Sequence, residues 1–295
     1  MDSEPLLILA AYSVAIIAAS LLGGWLPAMV RMTHTRTQLM MSFVAGLMLG
    51  VALYHLLPHA LAELSQTGDV PVVGISPAAV DSAVWWVMVG MILMLLLLRL
   101  FHFHQHDFSD EEHDHDHGHD HQPDTNAHPL SWLGIALGLG LHTLIDGVAL
   151  GASIHSSWML HEGVGLVGLG VFLAILLHKP LDALSITSMM QAGGWSSRAR
   201  TTANLAFASL CPIGALLFFW GVGEMDVQRA QVVGAALAFS AGVFLCISLG
   251  DLLPEVHFHS HDRFKLTLSF VIGIGLAYAL RYVEPGVMHG LEMLP

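Results

Sequence analysis

The stretch SAVWWVMVGMILMLLLLRLF, residues 82–101, decides what kind of fold this chain adopts. It contains one charged residue, Arg99, and otherwise almost only apolar side chains. A helix of about 20 residues rises about 30 Å, which matches the hydrocarbon thickness of a bilayer. The stretch therefore predicts a transmembrane helix.

The composition of the whole chain extends this prediction. Of the 295 residues, 55% are hydrophobic and 11% are charged, and the mean hydropathy is +0.66. A soluble domain carries about 25% charged residues. The two cysteines, Cys211 and Cys246, lie in apolar runs and suggest no disulfide framework. The N-terminus is acidic where a secretory signal would be basic, so we expect it to begin the first span of a polytopic membrane protein.

Gly, Pro and charged residues divide the apolar sequence into eight predicted helices. We number them as spans 1 to 8, and they lie at 6–30, 39–63, 82–101, 131–155, 163–191, 202–222, 230–256 and 266–284. The predicted fold class is an all-α membrane protein, with a single transmembrane domain over residues 1–295.

Arginine and lysine predict the orientation, because cytoplasmic loops carry an excess of both. With both termini outside, seven of these residues flank the cytoplasmic ends of the spans and two flank the outer ends. The cytoplasmic group is Arg31, Arg36, Arg99, Arg198, Arg200, Arg263 and Lys265, and the outer group is Arg229 and Arg281. We therefore expect both termini outside. The compact chain without an added ectodomain favours a bacterial inner (plasma) membrane.

The segment between spans 3 and 4 differs from the rest of the chain. Residues 102–128 hold nine of the twenty histidines among many Asp and Glu, with few apolar residues. This composition predicts a disordered cytoplasmic loop over about 102–130. Imidazoles and carboxylates suit Zn²⁺, so we expect weak, adaptable metal binding, for buffering or sensing. A solvated acidic linker is the simpler alternative.

Spans 2 and 7 resemble each other. FVAGLMLGVALYHLLPHAL (43–61) aligns without gaps to FSAGVFLCISLGDLLPEVH (239–257), with eight identical residues that include the LLP proline. The two spans are five apart in order, so the copies cross the membrane in opposite directions. This pattern predicts an inverted repeat, which is common in secondary transporters.

The polar positions of the two copies predict ligands at both ends of a pathway. His55 and His59 of span 2 lie toward the outer mouth. Asp251, Glu255 and His257 lie toward the inner mouth. Each of these groups could instead only cap a helix end or extend toward water.

A shorter repeat places histidine and aspartate in the middle of the membrane. HTLIDGVALG (142–151) in span 4 and HKPLDALSIT (178–187) in span 5 share the pattern His-x-x-x-Asp. Residues four apart share one face of a helix. The connection between the spans is short, so we expect antiparallel neighbours whose polar pairs face one another.

A divalent ion would stabilise this constellation in lipid. Two buried carboxylates are costly without a counter-charge. One Zn²⁺ neutralises both, and two neutral imidazoles complete a four-ligand shell of His142, Asp146, His178 and Asp182. The alternative is a hydrogen-bonded packing cluster without metal.

Lys179 adds an ammonium group beside His178. On a helix it points about 100° away from its neighbour, partly away from the four ligands. Its charge would occupy space that a second ion needs, so we expect one central ion rather than two.

These motifs resemble the ZIP family of divalent-metal transporters. The family's span-4 motif resembles HNxPEG, with a related His-x-x-x-Glu in span 5, and here they read HTLIDG and HKPLDA. The resemblance covers nearly the whole chain. It implies eight spans in a 3+2+3 layout, in which spans 1–3 and 6–8 form the inverted repeat around spans 4 and 5. It also implies that His142, Asp146, His178 and Asp182 are the metal ligands, and that Met48 corresponds to a further ligand.

The chain also departs from the family pattern. Aspartate replaces glutamate in both motifs, Thr143 stands where asparagine is common, and Lys179 stands where a second-site carboxylate can occur. Span 6 offers only Asn204 and Ser209 where the family sometimes has a carboxylate ligand.

The main hypothesis is a transporter that moves divalent cations toward the cytoplasm. Zn²⁺ is the expected ion, with Fe²⁺, Mn²⁺ and Cd²⁺ as alternatives. We expect no enzyme activity and no prosthetic group. The expected partners are divalent metal ions and the lipid bilayer, and no nucleic acid is expected. The sequence leaves open whether the chain forms a homodimer. The alternative is an intramembrane zinc-dependent hydrolase, which needs three protein ligands, an open water position and a general acid or base.

Overall fold

The computed structural model describes residues 3–29, 34–66, 75–101, 131–160, 166–223, 225, 228–252 and 263–283. Within these ranges every element of regular structure is a helix. Eight of the helices are long and apolar enough to cross a membrane, which confirms the predicted fold class and number of spans in this part of the chain. The histidine-rich segment 102–130 lies outside the described residues.

The observed spans match the predicted ones in number and order. Their helices are Ser3–Met29 in span 1, His34–Val51 and Leu57–Ser65 in span 2, Pro77–Phe101 in span 3, Ser131–Leu160 in span 4, Leu169–Ala192 in span 5, Ser197–Gly223 in span 6, Arg229–Ile247 in span 7 and Arg263–Leu280 in span 8.

Several predicted ends were wrong by five or six residues. Span 5 begins at Leu169 instead of residue 163 because Gly168 has φ of +68°, a left-handed conformation that interrupts a helix. A side chain at Gly168 would also collide with Ile154 of span 4.

Spans 2 and 7 each contain a π-helical segment at the same place in the repeat. The segments are Ala52–Leu56 and Ser248–Leu252, and the gapless alignment of the two copies superimposes one on the other. In span 2, Pro58 follows the segment and cannot donate a hydrogen bond to the carbonyl of Tyr54, which favours a local change of helix pitch. Pro254, its counterpart, lies outside the described residues.

Helix pairing is consistent with the 3+2+3 layout. Span 2 packs mainly on span 8 and span 3 on span 7, while span 1 packs on span 5 and span 4 on span 6. Exchanging spans 1–3 with 6–8, and 4 with 5, converts each of these pairs into another observed pair. The closest contacts follow the same rule, because Gly46 packs on the backbone of Phe270 and its counterpart Gly242 packs on that of Val87.

Four spans form the interior and four form the periphery. We compare the buried share of an 18-residue apolar stretch in each span. It is 50–72% in spans 2, 4, 5 and 7, and 22–39% in spans 1, 3, 6 and 8. The peripheral spans expose large apolar side chains such as Trp85, Leu217 and Phe264, as a lipid-facing surface requires. Spans 4 and 5 are interior, so their polar pairs are shielded from lipid.

Candidate metal centre

The two His-x-x-x-Asp motifs meet between spans 4 and 5. One ligand atom from each of His142, Asp146, His178 and Asp182 lies within 4.8 Å of every other. Of these side chains Asp146 is fully buried, the two histidines are 3% exposed and Asp182 is 15% exposed. Within the described residues this is the one group of three or more His, Cys, Asp or Glu close enough to share a metal ion.

The separations between donor atoms suit a small tetrahedral ion. Asp146 Oδ2 lies 3.5 Å from His142 Nε2 and 3.2 Å from His178 Nε2. Asp182 Oδ2 lies 3.8 Å from each of the same two nitrogens. Bonds of about 2.0–2.1 Å at tetrahedral angles separate neighbouring donors by about 3.3–3.4 Å. The four His–Asp separations are therefore within about half an ångström of those around a bound Zn²⁺.

His178 is oriented for coordination. Its Nδ1 donates a hydrogen bond to the carbonyl of Ala174 at 2.8 Å. In the neutral ring, Nε2 then carries a lone pair, and it faces Asp146 Oδ2 at 3.2 Å. Two electron-rich atoms at this distance repel each other unless a proton or a metal ion lies between them. The backbone bond therefore positions Nε2 for a cation, as in metal sites whose histidines are oriented by a second hydrogen bond.

The span-4 half of the centre contains buried polar atoms without protein partners. His142 Nδ1 and Asp146 Oδ1 are buried and make no hydrogen bond. A buried carboxylate oxygen without a donor is costly, so such atoms commonly mark a functional site. Asp146 therefore has one carboxylate oxygen, Oδ1, that is available to a bound ion.

Close helix packing holds Asp146 in the interior. The adjacent Gly147 lies against the backbone carbonyl of Cys211 in span 6, where any side chain would collide. The ring of Phe244 in span 7 lies perpendicular to the ring of His178, with 6.3 Å between the two centroids. Residues of spans 6 and 7 therefore both pack beside the centre.

Lys179 is turned toward the centre, which corrects the expectation that it points partly away. Its ammonium lies 2.7 Å from Asp146 Oδ2, 2.8 Å from Thr143 Oγ1 and 3.2 Å from Asp182 Oδ2. The long side chain bends back across the helix surface, so the 100° offset of its Cα does not decide where the charge lies. Lys179 is fully buried.

The predicted outer-mouth ligands are buried in the helix bundle. His55 Nε2 lies 2.8 Å from the carbonyl of Ala277 in span 8, and its ring packs on Gly170. His59 is 5% exposed. A role for either residue in a metal pathway stays a prediction. The side chain of Asp251, together with Glu255 and His257, lies outside the described residues.

The remaining candidates lie at different depths in the bundle. Met48 is fully buried in the core of span 2, and its role as a ligand stays a prediction. Asn204 exchanges hydrogen bonds with Ser20 of span 1, and Ser209 donates to the carbonyl of Leu205. Both span-6 residues therefore have structural partners.

Two buried residues near these features escaped the sequence reasoning. Cys211 of span 6 is fully buried, and its backbone carbonyl lies against Gly147, next to Asp146. Glu63 is 5% exposed and continues the spacing of His55 and His59 along span 2. His55, His59 and Glu63 are four residues apart, and this spacing in the sequence could have indicated that Glu63 shares their helix face. An isolated cysteine in an apolar run gives no such indication.

In the described part of the chain, eight helices able to span a membrane surround a buried cluster of two histidines and two carboxylates, which defines a class, the polytopic membrane proteins with a candidate metal site in the helix bundle. Comparison with known proteins gives the family. The family model described as ZIP Zinc transporter matches residues 6–125 and 102–281. The chain belongs to this family.

Curated relatives carry the same family name. The chain is 33% identical over 144 residues to Zinc transporter ZIP9 of Micropogonias undulatus, which covers 48% of this chain and 44% of that protein. It is 32% identical over 147 residues to Zinc transporter ZIP9-B of Xenopus laevis, a match that covers 48% of this chain and 46% of that protein. Zinc transporter ZIP4 of Homo sapiens is 32% identical over 122 residues, a match that covers 41% of this chain and 17% of that protein. The matches thus span less than half the length of these relatives.

Proposed function

We propose that this chain transports divalent metal ions across a membrane, with Zn²⁺ as the preferred ion and the cytoplasm as the destination. The observation that carries the proposal is the set of four donor atoms from spans 4 and 5, with His–Asp separations of 3.2–3.8 Å. Membership of the ZIP family and the names of the relatives support Zn²⁺ as the substrate.

The donor set suits an ion that must be released. Nitrogen and oxygen ligands hold Zn²⁺ without the thiolates typical of permanent structural sites. His142, Asp146, His178 and Asp182 are the proposed ligands, and one ion is the proposed occupancy because Lys179 fills the adjoining space. The proposed setting is a bacterial inner membrane with both termini outside, supported by the distribution of Arg and Lys.

The hydrolase alternative gains no support. It requires an open metal position with a separate acid or base, yet all four donors lie close enough to bind one ion. The relatives named above are described as transporters.

Uptake by proteoliposomes tests the proposal. Liposomes containing the purified chain should accumulate Zn²⁺ faster than empty liposomes, and Asp146→Ala should reduce uptake to the empty-liposome rate. Fe²⁺, Mn²⁺ and Cd²⁺ in parallel assays give the ion preference. Zn²⁺ binding without any transmembrane flux by the native chain would contradict transport.

A further inference from the structure

We propose that Lys179 is a built-in counter-cation of the metal centre that weakens metal binding and thereby speeds release of the ion. This inference rests on the proposed function, since it concerns the same four ligands. It assigns a role in turnover to a residue that does not bind the metal.

The ammonium of Lys179 is fully hydrogen-bonded. A protonated lysine has three N–H donors. Three acceptors surround Nζ, namely Asp146 Oδ2 at 2.7 Å, Thr143 Oγ1 at 2.8 Å and Asp182 Oδ2 at 3.2 Å. The ring of Phe207 lies below it, with its centroid 5.3 Å from Nζ, at a distance that favours a cation. The surroundings are therefore built for the charged form.

The threonine acceptor is oriented toward the ammonium. Thr143 donates its hydroxyl proton to the carbonyl of Leu139 at 2.7 Å, so its oxygen presents lone pairs to Nζ. Thr143 and Lys179 occupy equivalent positions of the two motifs, each directly after the histidine. At this position the lysine of one motif therefore donates a hydrogen bond to the threonine of the other.

The charge of Lys179 changes the electrostatic balance between the empty and loaded centre. With neutral histidines, the two carboxylates and the ammonium sum to −1 without metal and +1 with one divalent ion. Without the ammonium the sums are −2 and 0. The cost of burying charge in a low-dielectric medium grows with the square of the charge. Lys179 therefore brings the empty and loaded states closer in energy, so the ion is held less tightly.

Metal and ammonium can be present together. Asp146 Oδ1 has no hydrogen-bond partner, and each carboxylate oxygen has a second lone pair beyond the one that Lys179 uses. The bound ion and Nζ would then share carboxylates, a few ångströms apart, and repel each other with less screening than in water. This repulsion is the physical basis of easier release.

The experiment compares Lys179→Met, which removes the charge, with Lys179→Arg, which keeps it. Purified proteins are titrated with Zn²⁺ in competition with a fluorescent chelator, and Zn²⁺ uptake is measured in proteoliposomes. For Lys179→Met we expect Kd to fall at least tenfold and maximal uptake to fall at least fivefold. For Lys179→Arg we expect a Kd within threefold of the native value.

A Lys179→Met variant with unchanged or weaker Zn²⁺ binding would overturn the proposal, as would equal tightening in both variants. If the methionine variant is stable only with Zn²⁺ present, loss of Zn²⁺ to excess chelator should be at least tenfold slower than from the native protein, and equal or faster loss overturns the proposal. Failure of the native chain to bind or transport Zn²⁺ would instead contradict the proposed function itself.

Discussion

The same motif is used differently in the two halves of the metal centre. In span 5, a hydrogen bond to the carbonyl of Ala174 fixes the ring of His178, and Asp182, the aspartate of the same motif, is 15% exposed. In span 4, Nδ1 of His142 makes no hydrogen bond, and its partner Asp146 is fully buried. Span 5 therefore contributes the better-oriented imidazole, and span 4 contributes the more deeply buried carboxylate.

This difference has a consequence for binding. A buried carboxylate gains more from a bound cation than a partly exposed one, because water no longer screens the interaction. An imidazole that is already oriented loses less freedom when it coordinates. Asp146 and His178 should therefore contribute more to metal binding than Asp182 and His142. Two predictions test this ranking, and a third tests whether uptake depends on residues outside the centre.

The largest effect should come from neutralising the buried carboxylate. Asp146→Asn should weaken Zn²⁺ binding by about a hundredfold or more, because loss of one partner in a buried charge network costs about 3–5 kcal/mol and about 1.4 kcal/mol is tenfold. Asp182→Asn should weaken it by only about tenfold. Competition with a chelating dye measures both values.

Asp81→Asn is the matched control for these two variants, since Asp81 is an exposed carboxylate of span 3. It should leave Zn²⁺ binding unchanged. Equal losses for Asp146→Asn and Asp182→Asn would show that burial does not rank the two carboxylates.

An intermediate effect should distinguish the two imidazoles. His178→Ala should reduce Zn²⁺ affinity severalfold more than His142→Ala, because only the His178 ring is oriented by a backbone carbonyl. Isothermal titration of both purified variants gives the comparison, and melting temperatures establish that each is folded. A larger loss for His142→Ala would reverse the assignment of the better-oriented ligand.

The smallest effect should come from outside the centre. Replacing residues 102–128 with a Gly/Ser linker of equal length removes nine histidines. The four central ligands remain, so Zn²⁺ uptake in proteoliposomes should continue at a similar maximal rate, with changes confined to its dependence on cytoplasmic metal. Abolished uptake would mean that the segment belongs to the transport pathway.

The sequence was sufficient to predict the spans and the meeting of the four polar side chains for definite physical reasons. Each span needs a long apolar run, and charged groups inside such runs are too costly to be incidental. The pairing of His142–Asp146 with His178–Asp182 followed from their matching spacing.

Other features depended on information that an apolar helix does not carry. Lipid and protein interior are equally apolar, so no polar face reveals which side of a membrane helix is buried. The burial of Cys211 beside the centre was therefore not readable. The position of the Lys179 ammonium depends on how a flexible side chain bends, which spacing along the helix does not determine.

The paired π-helical segments explain why the repeat can be recognised in the sequence. A π turn holds one residue more than an α turn, so it rotates the following residues by about 100° relative to an uninterrupted α-helix. Because Ala52–Leu56 and Ser248–Leu252 occupy matching positions, both copies carry the same rotation. Neither copy has gained or lost a residue relative to the other across this point, and the alignment therefore needs no gap. Both halves therefore carry the same change of helix pitch at the same point of the repeat.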